Sequence, residues 1–207
     1  MPQILTDAAC SAAFRGAAIG FHGKIPARGD FVRKGLPRSF TEPWDSWMQQ
    51  MLTTSRSALG DQWLPAWLAG PVWRFALTPG SCGPDAVLGV WIPSVDAVGR
   101  YFSLTIASVV PNADGAILIR HGGGFLSAAE DAARDALSKE LAPDDLAVRI
   151  ADAQLAPPSD AGVDPSLCPA EGGVWWATRA SSAPETVFTS TCLPDEGTFC
   201  SMLKLLV

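Results

Sequence analysis

Residues 72–110 hold three apolar runs separated by turn chemistry, and nothing else in the chain restricts the fold as tightly. The first run, 72–77, strings Val72, Trp73, Phe75 and Leu77 around a lone Arg74. TPGSCGPD at 78–85 is turn chemistry. The second run, 86–92, stops at Pro93, and a longer turn at 94–101 holds Asp96 and Arg100. The third, 102–110, stops at Pro111-Asn112. Strand-like runs joined by short turns predict an antiparallel meander. Near-continuous apolarity requires cover on both faces of the sheet, and helices are the expected cover. The predicted fold class is therefore α/β, a three-layer sandwich with a mostly antiparallel or mixed sheet and helices on both faces.

Periodicity supplies the helices. Trp44, Trp47, Met48, Met51 and Leu52 fall at i, i+3, i+4, i+7 and i+8, which predicts a helix from just after Pro37 to 56–60. Ser39 with Glu42 fits a capping box at its start, and Thr41 ahead of Pro43 fits as well. A short helical piece at 61–68 is broken by Pro65. A helix over 125–140 buries Phe125, Ala129, Ala133, Ala136 and Leu137 and turns Glu130, Asp131, Arg134 and Lys139 outward. A last helix, 195–206, places Phe199, Met202, Leu203 and Leu206 on one side. Further strands are expected at 17–22, 146–150, 174–178 and 187–191. Residues 1–15 read as a loose lead-in or short helix, and 155–173 as an irregular surface loop. At 207 residues, a single domain over 1–207 is expected.

Composition removes several function classes. With a net charge of -6, the chain is a poor partner for nucleic acid, which requires a basic face. No apolar run approaches the ~20 residues of a membrane helix, so no membrane insertion is expected. Apolar residues 8–21 lack a basic leader, so no signal peptide is expected, and the five scattered cysteines, without a CxxC pair, read as free thiols in the cytoplasm.

Residues 20–47, GFHGKIPARGDFVRKGLPRSFTEPWDSW, form the most constrained stretch. Glycines that tolerate positive φ alternate with prolines that fix it, which predicts a shaped loop feeding the helix. Asp30 lies among Arg28, Arg33, Lys34 and Arg38, and Asp96 lies near Arg100. Three roles fit these aspartates: a structural brace, a partner contact and a catalytic carboxylate pair. Arg74, opposite in direction to its aromatic neighbours, suits stacking on a ring or pairing with a carboxylate of the 20–47 loop. The candidate interaction or bracing residues are Asp30, Arg33, Arg38, Trp44, Asp45, Arg74, Ser94, Asp96 and Arg100.

Other apparent motifs lack their chemistry. Gly23-Lys24 resembles the end of a phosphate loop, but Ala18 replaces the first glycine and Ile25 the magnesium-binding hydroxyl. His121-Gly122-Gly123-Gly124 matches an oxyanion element, yet no G-x-S-x-G nucleophile exists, so a turn before a helix is expected. His22 and His121 are the only histidines and no cysteine adjoins either, so no metal or cofactor is expected, and His22 reads as structural.

The pattern GF-x-GK-x-P-x-x-GDFV-x-x-x-LP-x-x-F followed by WD-x-W resembles the TagF family, proteins associated with bacterial type VI secretion. A second family signature follows in order: Pro71-Val-Trp73-Arg74-Phe75, then Gly89-Val-Trp-Ile-Pro93-Ser94-Val95-Asp96, then Val98-Gly99-Arg100-Tyr101-Phe102. Together they span about 19–110, and Trp175-Trp176 with the apolar last helix carries the likeness further. The resemblance implies an accessory post-translational regulator, a repressor, that is not an enzyme and that binds the forkhead-associated-domain scaffold of the secretion system. Some members are fused to a phosphatase domain, and none is expected at this length. On this reading the loops 30–38 and 94–100 form part of the binding surface. The alternatives are an enzyme using Asp30 or Asp96, and a structural accessory of the secretion apparatus.

Overall fold

The computed structural model describes residues 13–153, 156–157, 159–178 and 184–204. Its strands are β1 (Ala18–Gly23), β2 (Val32–Lys34), β3 (Trp73–Leu77), β4 (Ala86–Val95), β5 (Tyr101–Val110), β6 (Gly173–Thr178) and β7 (Pro184–Ser190). Its α-helices are α1 (Arg38–Leu59), α2 (Trp63–Ala69), α3 (Gly115–His121), α4 (Gly123–Ser138), α5 (Pro143–Ala153) and α6 (Glu196–Leu203). The strands make one antiparallel sheet in the order β2-β1-β5-β4-β3-β6-β7.

Because strand side chains alternate between faces, β4 feeds two cores. Leu88 and Val90 join an aliphatic layer with Leu118, Leu126, Ala129, Ala133, Leu146 and Ile150 of α3, α4 and α5. Val87 and Trp91 join an aromatic layer with α1, α2 and α6. Of the eight tryptophans, only Trp176 lies on the aliphatic side. The α1 stripe enters the aromatic layer as its spacing predicts. Trp44 stacks 4.9 Å from Phe75, and Phe75 stacks 4.9 Å from Trp175. Gly89 makes room for this stack: a Cβ there would sit 2.8 Å from Phe75 Cζ and 2.6 Å from the Ile106 carbonyl. This is the predicted sandwich, helices on both faces of an antiparallel sheet.

Several local expectations are corrected. Residues 146–150 lie within α5, not in a strand. The run was too short for its apolar positions to separate the two periods, and Asp144 and Asp145 in the first turn suit a helix start. Pro93 does not end β4, which runs on to Val95. The β3–β4 register ends at Trp73↔Trp91, so proline's missing N–H falls beyond the last strand that would need it on that side. The turn to β5 shrinks accordingly to 96–100. α1 starts at Arg38 behind an extended Pro37 whose carbonyl accepts from the Thr41 N–H at 3.1 Å. No side chain caps it, so neither the Ser39 nor the Thr41 cap forms. Most of the 1–15 lead-in, Leu206 and the 179–183 connection lie outside the described residues.

Candidate functional site

The 20–47 loop and the β4–β5 turn meet on one carboxylate. β1 lies beside β5 with Gly23 opposite Leu104, which carries Lys24 to the end of the β4–β5 hairpin. There the Lys24 N–H donates to the Ser103 carbonyl at 3.1 Å. Its ammonium donates to Asp96 Oδ2 at 2.7 Å, and Arg100 Nε donates to the same oxygen at 2.7 Å. The backbone N–H groups of Val98 and Arg100 donate to Asp96 Oδ1 at 3.0 and 2.9 Å. The Asp96 side chain has no exposed surface, and Lys24 is nearly as buried. Burial alone would raise the Asp96 carboxyl. The bonds from Lys24, Arg100 and Val98 outweigh it and hold the group well below the usual carboxylate range.

Further bonds tie the two segments together around this centre. Ser94 Oγ donates to the Lys24 carbonyl at 2.8 Å, and the Ala97 N–H donates to the Arg28 carbonyl at 3.0 Å. Arg100 Nη2 donates to the Gly29 carbonyl. Trp67 of α2 donates its indole N–H to the Ser94 carbonyl at 3.0 Å. Ser94, Asp96 and Arg100 thus share one cluster, and Lys24 is the partner that sequence reasoning did not pair with Asp96.

Asp30 stands outside it. It is exposed and, among the described residues, makes no ion pair with Arg28 or Arg33. The neighbouring Arg28 and Gly29 carbonyls face the hairpin turn, so backbone rather than the Asp30 carboxylate joins the loops. Arg33 is exposed, and among the described residues Arg38 pairs only with Glu42, at 3.0 Å. Trp44 is buried and donates to Thr105 Oγ1 at 3.0 Å. Asp45 accepts from Gln49 at 2.6 Å and lies 3.2 Å from His22 Nε2. The His22 ring stacks under Phe31 at 5.7 Å between centroids, consistent with a structural histidine.

Arg74 belongs to a different cluster. It neither stacks on a ring nor reaches the 20–47 loop. Its Nε donates to Glu130 Oε2 at 2.9 Å, and its Nη1 donates to the Ala161 carbonyl at 3.1 Å. Glu130 is buried on α4, not outward, and also accepts from Arg134 at 2.7 Å. A helical wheel places Glu130 at the margin of the apolar stripe, and only Arg74, reaching across from β3, reveals that it turns inward.

The HGGG segment is a joint between helices. α3 ends at His121 and α4 begins at Gly123, with Gly122 between them. A Cβ on Gly123 would lie 2.0 Å from the Ser159 carbonyl, and one on Gly124 would lie 1.9 Å from the Pro157 carbonyl. These glycines admit a crossing chain, which is a packing role. Among the described cysteines, burial pushes the Cys82 thiol up to about 12 and the Cys168 thiol up to about 11. Neither is a thiolate at neutral pH.

No curated protein matches the chain significantly. Among solved structures, the crystal structure of PA0076 from Pseudomonas aeruginosa PAO1 is similar. It is 34% identical with a TM-score of 0.77, and the match covers 90% of this chain and 94% of that one. The TagF N-terminal domain, described as type VI secretion system-associated, matches residues 20–153, the region that contains both halves of the Asp96 cluster. The chain therefore belongs to the TagF family of type VI secretion-associated proteins.

Proposed function

We propose that this protein is a cytoplasmic, accessory regulator of a bacterial type VI secretion system. It represses by binding the forkhead-associated-domain scaffold protein and holding it from assembly, and it is not an enzyme. Family membership supports the secretion association. The observation that carries the binding role is the Asp96 cluster. Two segments distant in sequence spend their buried charges on holding two loops in one shape. The Asp96 carboxylate has four donors and no exposed side-chain surface, an arrangement that suits holding a surface in shape better than passing a proton from Asp96.

Size-exclusion co-elution with the cognate forkhead-associated-domain protein, phosphorylated and unphosphorylated, tests this reading. A discrete complex is expected, and comparison of the two states reads the dependence on phosphate. Folded protein that co-elutes with neither state overturns it. Stable stoichiometric co-purification with sheath or baseplate proteins instead would make the chain a structural part of the apparatus.

A further inference from the structure

Phe31 and Val98 are large apolar side chains 46% and 68% exposed, and both stand on the bridged loops. Exposure here does not mean looseness. The Phe31 ring packs 4.8 Å from Phe102 and 5.7 Å from His22, and Lys24 Nζ lies 5.1 Å from its centroid. Val98 is held through its own N–H on Asp96 Oδ1, and its Cγ1 lies 3.9 Å from where a Cβ on Gly29 would be. Of the cations on these loops, Lys24 and Arg100 are taken up by Asp96 and Lys34 pairs with Asp144 at 3.6 Å, which leaves Arg28 and Arg33 against the single exposed carboxylate of Asp30. This positive tip belongs to a protein of net charge -6. Arg28 and Arg33 are exposed and make no ion pair among the described residues. Leu64 and Leu68 on α2, Ile117 on α3, Val148 on α5 and Leu167 are also exposed, but none of them stands on the bridged loops.

We infer that these loops are a docking surface for an acidic protein partner. Phe31 and Val98 enter an apolar depression of the partner, and Arg28, Arg33 and Arg100 meet carboxylates at its rim. Aromatic and arginine side chains dominate binding hot spots, and anchors ordered before binding lose little entropy on association. The exposed Asp30 amid so few cations disfavours a phosphate backbone as the occupant. The inference rests on the binding role proposed above and adds the anchors on these loops and the charge of their target.

The test is calorimetric titration of the full chain with the purified forkhead-associated-domain protein. Val98→Glu and Arg33→Glu are each expected to weaken binding about tenfold or more, while Val148→Glu leaves it unchanged. Wild-type affinity is expected to fall as salt rises from about 0.05 to about 0.5 M, because rim ion pairs are screened. Thermal unfolding checks the variants. Should Val98→Glu not fold, Arg33→Glu, at an exposed position, carries the test. Wild-type binding with both variants unaffected overturns this surface and leaves the binding role standing. Salt-insensitive binding overturns the acidic target. If wild-type protein does not bind, this inference and the reading beneath it both fall.

Discussion

Asp96 keeps its charge without solvent because Lys24, Arg100 and two backbone N–H groups share its oxygens. Asp96→Asn removes the anion and leaves the Lys24 ammonium buried with no counter-charge. Denaturant unfolding at neutral pH is expected to show a loss of ~3 kcal/mol, in the range for breaking one side of a buried pair. The pH dependence follows from a native carboxyl held below its unfolded value. Such a group stabilises above the unfolded pKa of about 3.9 and loses that contribution as pH falls through the native value. The gap between wild type and Asp96→Asn is therefore expected to narrow as pH falls below about 4. A gap constant down to pH 2 would mean that the charge contributes nothing to the folded state. Part of this cluster was legible in the chain. Asp96 and Arg100 lie four residues apart, and a brace was one of the three roles that their closeness allowed. Lys24 lies 72 positions from Asp96, and only strand pairing brings it there.

Secondary elements meet most tightly where side chains are missing. Gly123 and Gly124 open α4 beneath the crossing chain, against the carbonyls of Ser159 and Pro157, and Asp160 leads on to the Ala161 carbonyl. That carbonyl accepts from both Arg74 and Trp176, at 3.1 and 2.9 Å. Gly124→Ala is expected to push the crossing outward and cost about 1–3 kcal/mol, the range for overpacking. Amide exchange is expected to rise at 160–163, where the displaced segment is otherwise fastened to Arg74. Unchanged exchange and stability there would refute a packing role for these glycines. The sequence signals for elements were strongest where many residues repeated one period, as in the five apolar positions of the α1 stripe. They failed at α5, where five residues do not separate helix from strand, and at Pro93, whose tolerance depends on where the neighbouring strand stops.

At the scale of the molecule, one sheet serves two chemically different layers, so neither layer closes its core without the other's strands. Phe199 of α6 stacks 5.6 Å from Trp91 and meets Trp47 edge-on at 5.8 Å, and Trp47 donates to the Pro194 carbonyl at 2.8 Å. Phe199→Ala is expected to cost about 3–5 kcal/mol by opening the aromatic layer. In both wild type and variant, near-ultraviolet dichroism, which reports that layer, should follow the same denaturant curve as far-ultraviolet dichroism. An earlier near-ultraviolet transition would show that the aromatic layer unfolds by itself. By itself the sequence determined the sandwich, since apolar runs too continuous for a one-sided sheet require two helical covers. It determined the family as well, because the two signatures stand in order along the chain. Only the tertiary structure decided that Lys24 and Arg100 share Asp96, that Asp30 stays in solvent, and that Arg74 turns to Glu130. Those pairings depend on register and layer order, and local spacing carries no information about residues that meet across strands.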